Sequence, residues 1–360
     1  MIRNKIYRFF PTPRFLMSPS FGLDISDQSL KFVELNVTKD GIHMGHFGER
    51  KIPPGIIVSG KINDPKRLKD VLFALRREEG IRFVRVSLPE EQVYLFHLRL
   101  QKGSLENLRE GIELSLEEHI PIPAAEAIFD YELLAQDAGS IEVEVAAIPQ
   151  NVIENYLSVF RESFISVQSF ELEAQAISRA VIKKGDSGTY MVVDFGQTRT
   201  GIFIISRGLA IFTSTFEMGG ASLAGAIQKS FKVSFEEAEK MKKMYGLLRN
   251  APEKEIFPIL LNSVSVLRDE IVKHLLYWQT HKDDQGNDHP PIKKILLSGG
   301  DSNLTGLPEY LSASTHTPVE LANVWVNVSD TKKYIPRIDF NRSLSFAAAL
   351  GLALGDFDYD

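Results

Sequence analysis

GLDISDQSLKFVEL (22–35) and VVDFGQTRTGIFII (192–205) share one plan: an apolar strand closing on an aspartate, a tight polar turn, and a second apolar strand. Each is followed by a third strand-like run, GIHMGHFGERKI (41–52) and GLAIFTSTFEM (208–218), so the chain carries a weak internal duplication with Asp24 and Asp194 at equivalent points. A tight turn of this kind exposes backbone N–H groups, and N–H concavities bind anions without needing cationic side chains. Two such turns facing each other, Asp27-Gln28-Ser29 and Gly196-Gln197-Thr198, would grip a polyphosphate from both sides. Asp24 and Asp194 would then face each other across a cleft and hold Mg²⁺ through its waters, because that ion dehydrates reluctantly. A third segment, LLSGGDSN (296–303), has in Gly299 and Gly300 a turn whose backbone can come close to an adenosine.

Composition sets the frame around these turns. A chain of 360 residues exceeds one ordinary core and predicts two lobes or more. With 47 acids against 41 bases, the net charge of −6 argues against a general nucleic-acid binder. The absence of cysteine removes disulfides and thiolate metal sites and fits a cytoplasmic protein. Apolar runs fall short of the roughly 20 residues a membrane helix needs. The first 20 residues form a basic tail: Arg3, Lys5, Arg8 and Arg14 alternate with Phe9, Phe10, Phe15, Leu16 and Met17, without an acid. The tail reads either as a contact for anionic lipid or as a segment tucked against the fold.

Between the duplicated units, the spacing predicts a helix after Asn63-Asp64-Pro65, with Asp64 as cap and Leu68, Val71, Leu72 and Leu75 at helical spacing. Strand, helix, two strands and a helix then fill about 92–164, a small α+β unit whose last helix, NVIENYLSVFRES (151–163), would be capped by Asn151. After the second unit come a helix over GGASLAGAIQKSF (219–231), another opened by a Ser234–Glu237 capping box, and a long helix through Leu260, Val264, Leu267, Ile271 and Leu275.

With these segments in place the chain resembles the actin-like ATPases, on the branch that holds PilM-type pilus proteins and FtsA. The resemblance runs from about residue 21 and rests on the two Asp-turn segments, on AEKMK (238–242), on ILLSGGDSNLTGLPEYL (295–311) and on AAALGLAL (347–354). It implies an α/β, duplicated actin-like (ribonuclease H-like) two-lobed fold with an inserted small α+β subdomain. The expected division is a first lobe over 21–91 completed by about 335–360, the insertion over 92–164, and a second lobe over 165–334 with a helical part at about 219–290. It implies ATP with Mg²⁺ between the lobes, Glu239 and Lys242 near the ribose and base, and Asp301 beside Gly299 and Gly300 in the adenosine turn. It also implies a scaffold of type IV pilus assembly. Such a scaffold docks the cytoplasmic N-terminus of a PilN-like inner-membrane protein beside the inserted subdomain. It would be cytoplasmic, peripheral to the inner membrane through that partner, linked onward to the inner-membrane complex and motor ATPases, with room for self-association.

Three departures from the family pattern bear on the chemistry. Ser26 stands where the first turn usually has glycine, Asp27 where it has a small residue, and Asp301 replaces a third small residue in the adenosine turn. A carboxylate at roughly 4–6 Å from a phosphate costs roughly 3–4 kcal/mol at an effective dielectric near 20, before screening. Mg²⁺ or Arg199, in the second turn, would offset it, and so would pointing the carboxylate away. No side chain stands out as the one that orients an attacking water, so slow or absent hydrolysis is expected and a small-molecule kinase is disfavoured. An FtsA-like membrane polymer and a nucleotide-free scaffold of a type II secretion-like system are the alternatives; against the first, the chain closes on acidic GDFDYD (355–360). GIIVSGKI (55–62) mimics a P-loop but lacks the Ser or Thr after its lysine and reads as an ordinary loop.

Overall fold

The computed structural model describes residues 20–39, 41–101, 108–136, 139–249, 255–282, 286–328 and 334–357; the basic tail expected over 1–20 lies outside them except for Ser20. Two five-stranded sheets repeat one topology. The first contains β1 (Phe21–Ile25), β2 (Ser29–Thr38), β3 (Gly41–Lys51), β6 (Phe83–Leu88) and β10 (Ser166–Leu172) in the order β10-β6-β1-β2-β3. The second contains β11 (Thr189–Phe195), β12 (Thr200–Ser206), β13 (Leu209–Phe216), β14 (Ile292–Ser298) and β15 (Val319–Leu321) in the order β15-β14-β11-β12-β13. In each, the Asp-ended strand runs antiparallel to the strand after its turn and parallel to a strand reached by a crossover. Parallel pairing brings the carboxyl ends of these strands to one edge, which puts Asp24 and Asp194 at the mouths of their sheets.

Between β3 and β6 lie a two-stranded hairpin, β4 (Ile57–Val58) and β5 (Lys61–Ile62), and helix α1 (Pro65–Glu79). Asp64 caps α1 by accepting from Arg67 N–H at 3.0 Å, and Gly80 stops it in the left-handed region. The inserted unit is a three-stranded sheet, β7 (Tyr94–Gln101), β9 (Ser140–Pro149) and β8 (Ala127–Gln136) in the order β7-β9-β8, with α2 (Leu108–His119) on one face. Its core is its own: Ile112 and Leu116 pack on Ile141, Val143 and Val145. Helix α3 (Gln150–Glu162) then returns to the first sheet, where Val152, Tyr156 and Phe160 join the core around Leu23, Leu72 and Val84.

Two expected boundaries change on this account. The chain belongs to the first lobe through α3 and β10, rather than leaving it at residue 91 and passing to the second at 165. Asn151 does not cap α3: the helix starts one residue earlier, after Pro149 in extended geometry.

Helix α4 (Glu173–Val181) and α10 (Ala347–Leu354) form the layer between the two sheets, and Val33, Ile177, Val192, Phe203 and Leu350 share one core there. The small residues of AAALGLAL have a direct use. A Cβ on Gly22 would sit 1.9 Å from Ala349 O, and one on Gly351 would sit 1.7 Å from Ala176 O, so strand and helices meet at backbone distance. On the far face of the second sheet, α5 (Gly220–Phe231), α6 (Phe235–Tyr245) and α7 (Ile256–Thr280) bury Leu223, Ala238, Leu267 and Ile271 against Met191 and Val193. Ser234 caps α6 from the Glu237 N–H at 3.1 Å. α8 (Leu307–Thr315) follows β14, and the short α9 (Phe340–Ser343) precedes α10.

Candidate functional site

The two Asp-turns close on the same backbone hydrogen bond. In the first, Ser26 N–H donates to Ser29 O at 2.9 Å; in the second, Gly196 N–H donates to Arg199 O at 3.1 Å. Neither Ser26 nor Gly196 has positive φ, which is why serine can stand in for glycine here. The closing bond leaves the N–H groups of the two following residues, Asp27 and Gln28 in one turn and Gln197 and Thr198 in the other, with no protein acceptor among the described residues. Ser29 is occupied: its N–H donates to Ser26 Oγ at 3.2 Å, and its hydroxyl takes Lys31 Nζ at 3.0 Å.

Asp27 turns its charge away from the turn it belongs to. Its Oδ2 accepts from Ser59 N–H at 3.0 Å and its Oδ1 from Gly60 N–H at 3.1 Å. Those residues form the tip of the β4–β5 hairpin, with φ of 47° and 73°. The P-loop look-alike is therefore a left-handed hairpin turn whose N–H pair is satisfied by an aspartate. The electrostatic cost expected for Asp27 beside a phosphate is reduced accordingly.

The two turn aspartates lie within electrostatic reach. Ser87 Oγ, on β6, donates to Asp24 Oδ1 at 2.8 Å, and Ser298, on β14, stands in the matching place beside Asp194. Burial, followed by the charge of Asp24, pushes the Asp194 carboxyl up to about 6, although Asp194 keeps some contact with solvent. Among the described residues no three acids are grouped to hold a metal directly. The donor set suits a hydrated divalent cation, with Asp24 and Asp194 as acceptors for its waters.

Arg199 is not free to meet a phosphate, contrary to expectation. Its Nη2 donates to Glu173 Oε2 at 3.0 Å and its Nη1 to Glu91. Burial works against its charge, but Glu173, Glu91, Asp24 and Asp27 more than compensate and keep the guanidinium protonated. Burial also raises the Glu173 carboxyl well above its usual range, with Asp24 and Asp194 adding to the effect against Arg199. Next to them, burial pushes Glu90 up to about 7, against the Ala174 N–H that its Oε2 accepts at 3.3 Å. Sequence reasoning missed Glu90, Glu91 and Glu173. An acid at the first turn of a helix, as Glu173 is in α4, is too common to single out.

On the adenosine side a cavity of about 430 Å³ is lined by Lys242, Gly300, Asp301, Asn303, Asn341 and Arg342, among others. Gly299 has φ 91°, and a Cβ there would lie 2.4 Å from Phe195 O, so this turn does require glycine. Lys242 reaches the cavity wall but is only 2% exposed, and its three protons are taken by Gly220 O at 2.9 Å, Glu239 Oε1 at 2.7 Å and Asp301 Oδ1 at 2.7 Å. Lys242 is therefore spent on neutralising Asp301 and Glu239 rather than offered to a ligand. Burial raises Asp301, with Lys242 pulling the other way.

A duplicated five-strand sheet with matching Asp-turns, closed by a glycine turn and a small-residue helix, defines the actin-like class. A family model described as type IV pilus assembly protein PilM matches residues 22–357, and the chain belongs to that family. The solved PilM–PilN type IV pilus biogenesis complex is similar in fold, with a TM-score of 0.77 and 23% identity over 94% of this chain and 98% of that one. MreB5 of Spiroplasma citri bound to ADP shares the fold at a TM-score of 0.55 and 14% identity, covering 86% of this chain and 94% of that one. Cell division protein FtsA of Agrobacterium fabrum is 23% identical over 235 residues, 59% of this chain and 50% of FtsA. The chain thus spans about half the length of the curated relatives it matches.

Proposed function

We propose that this chain is a nucleotide-responsive scaffold of a type IV pilus machine, held on the cytoplasmic side of the inner membrane by a PilN-like protein whose N-terminal segment docks beside the inserted subdomain. ATP sits between the lobes. The N–H groups of Asp27, Gln28, Gln197 and Thr198 cradle its phosphates, and Asp24 and Asp194 hold hydrated Mg²⁺. Gly299, Gly300, Asp301 and Glu239 frame the nucleoside. The observation that carries this reading is the matched pair of turns, each with two N–H groups that meet no protein acceptor among the described residues, beside an aspartate and a supporting serine. Support for the partner comes from family membership and from the likeness to a PilM solved with PilN. Hydrolysis is slow or absent, because Glu173, close enough to feel the charges of Asp24 and Asp194, is held by Arg199. Among the described residues no helix is long and apolar enough to cross a membrane, which fits attachment through a partner.

The test is a titration of fluorescent ATP with Mg²⁺ into this protein and its Asp24→Ala variant, followed by calorimetry of a PilN-like N-terminal peptide with and without ATP. Micromolar ATP binding, weakened at least tenfold in the variant, together with peptide binding, is the expected result. No binding of ATP at millimolar concentration would sink the nucleotide half of the proposal. No peptide binding in either state would sink the partner half.

A further inference from the structure

The inserted unit is charged out of proportion to the rest of the chain. Residues 94–149 hold eleven acids against three lysines or arginines, so this unit alone outweighs the net −6 of the whole protein. Glu110, Glu113 and Glu118 are exposed on α2, where water and salt screen them. Other acids lie on the sheet face turned away from α2. Ile141, Val143, Val145 and Ala147 of β9 enter the core under α2, so Glu142, Glu144 and Ala146 between them point to the opposite face. The register lines up Leu95, Ala146 and Asp130 in one row and His97, Glu144 and Glu132 in the next, with Arg99 beside Glu142. This face turns toward the body of the molecule: Ile148, one row further on, joins the first-lobe core, and Glu132 feels the charge of Arg179 on α4.

The row through Glu144 works against the fold. Glu132 and Glu144 stand directly opposite on neighbouring strands, where like charges destabilise a sheet. Glu144 is only 6% exposed, and its Oε1 has no hydrogen-bond partner among the described residues. His97 Nε2, across the other ladder, lies 3.6 Å from that oxygen, beyond hydrogen-bond reach. The nearby arginines are engaged with other groups: Arg99 Nε donates to Ser140 Oγ at 2.9 Å, and Arg179 Nη1 to Glu171 Oε2 at 2.8 Å. Although Glu132 is exposed as a residue, burial around its carboxyl and then the charge of Glu144 raise it, with Arg179 opposing them. A buried acceptor without a donor, opposite a second carboxylate, is an arrangement that an incoming cation completes.

We infer that this row is a receptor for a basic side chain: an arginine or lysine of a docked segment enters between Glu132 and Glu144, with Asp130 and Glu142 at its margins. The occupant rests on the partner reading above and is the N-terminal segment of the PilN-like protein. Cytoplasmic flanks of membrane-spanning helices carry an excess of lysine and arginine, so such a segment brings the charge that the inserted unit lacks. Arginine fits best, because its planar fork can meet two carboxylates at once. Leu95, Ala146 and the 40%-exposed Ile128, in the adjoining rows, offer apolar surface to the residues beside it.

Calorimetry on the full chain at low salt tests it with two probes. One is tetra-arginine; the other is a PilN-like N-terminal peptide, with its basic residues intact or replaced by citrulline and norleucine. Glu144→Gln and Glu132→Gln should each weaken tetra-arginine by about fivefold or more, whereas Glu110→Gln with Glu113→Gln, on the exposed face of α2, should leave it within about twofold. Glu132→Lys supplies the missing cation from within the row, so it should raise the melting temperature and abolish binding of tetra-arginine. The neutralised peptide should bind the parent about fivefold or more weakly than the basic one, and the two should bind Glu144→Gln alike. The inference is overturned if tetra-arginine does not bind, if the α2 pair weakens it as much as Glu144→Gln does, or if basic and neutral peptides bind the parent equally. In the last case the PilN-like partner stands and only its charge readout falls. Tetra-arginine held through Glu144 with no binding of either peptide is the opposite case: it removes the PilN-like partner, and overturns the inference as to its occupant.

Discussion

A single carboxylate decides how the first turn works. Asp27 lies beside the N–H groups offered to a phosphate, yet both its oxygens are engaged by the hairpin tip at Ser59 and Gly60. If its charge opposed a phosphate, Asp27→Ala would tighten nucleotide. On the geometry seen, the alanine instead strands two N–H groups in a left-handed turn, so urea unfolding should show a loss of about 1–3 kcal/mol. Nucleotide affinity should change by no more than about twofold, because the backbone N–H of residue 27 survives the substitution; a tenfold tightening would mean the carboxylate faces the ligand after all. The same residue shows what a sequence can and cannot give. Its position in the turn was legible from the strand–Asp–turn–strand plan. The direction of its side chain was not, since its acceptor role depends on a hairpin more than thirty positions away whose left-handed tip has a serine in it. Ser26 is the converse case: it looked like a defect for want of glycine, and the backbone there needs none.

At the scale of elements, local patterns were read well and remote pairings poorly. Helix starts at Asp64 and Ser234 follow from capping chemistry that acts over three residues, and both caps are present. The return of α3 and β10 to the first sheet depends on β10 pairing with β6 across the whole inserted unit, and no local period encodes that. Lys242 on α6 belongs to the same lesson. Its position opposite the adenosine turn was legible through the resemblance, but not that Asp301, where a small residue is usual, would claim it. Lys242→Met should leave Asp301 and Glu239 facing each other without a cation. That costs about 2–4 kcal/mol, toward the low end of buried-pair losses because both acids keep some solvent. Adding Asp301→Gly removes the repulsion and should restore more than half of the loss. A double-mutant cycle by denaturant unfolding checks this, and additive losses would mean the two side chains do not act as a pair.

For the whole molecule, the question is what keeps two lobes in register around a cleft. Arg199 leaves the second sheet and ties Glu91, just past β6, to Glu173, at the start of α4, while the β4–β5 hairpin reaches Glu217 through Ser59 Oγ at 3.4 Å. These are contacts between halves that a clamping nucleotide would otherwise have to bring together. A ligand shifts an equilibrium only by its differential affinity for the two states, so a molecule already braced shut has little left for ATP to change. Arg199→Gln removes the charge that holds Glu91 and Glu173, and the nucleotide-free protein should then open. Hydrogen exchange at residues 89–93 and 171–175 should rise, and saturating ATP with Mg²⁺ should bring it back down. Coupling should change in the same sense. ATP should strengthen binding of the PilN-like peptide by less than about fivefold in the parent and by more than about tenfold in Arg199→Gln, the latter a coupling within the roughly 1–3 kcal/mol usual for linked sites. If exchange and coupling are the same in both proteins, the Arg199 brace is local packing at the base of the second turn. If both rise together, the brace sets how far this scaffold depends on nucleotide, because it supplies from within the chain the closure that ATP would otherwise provide.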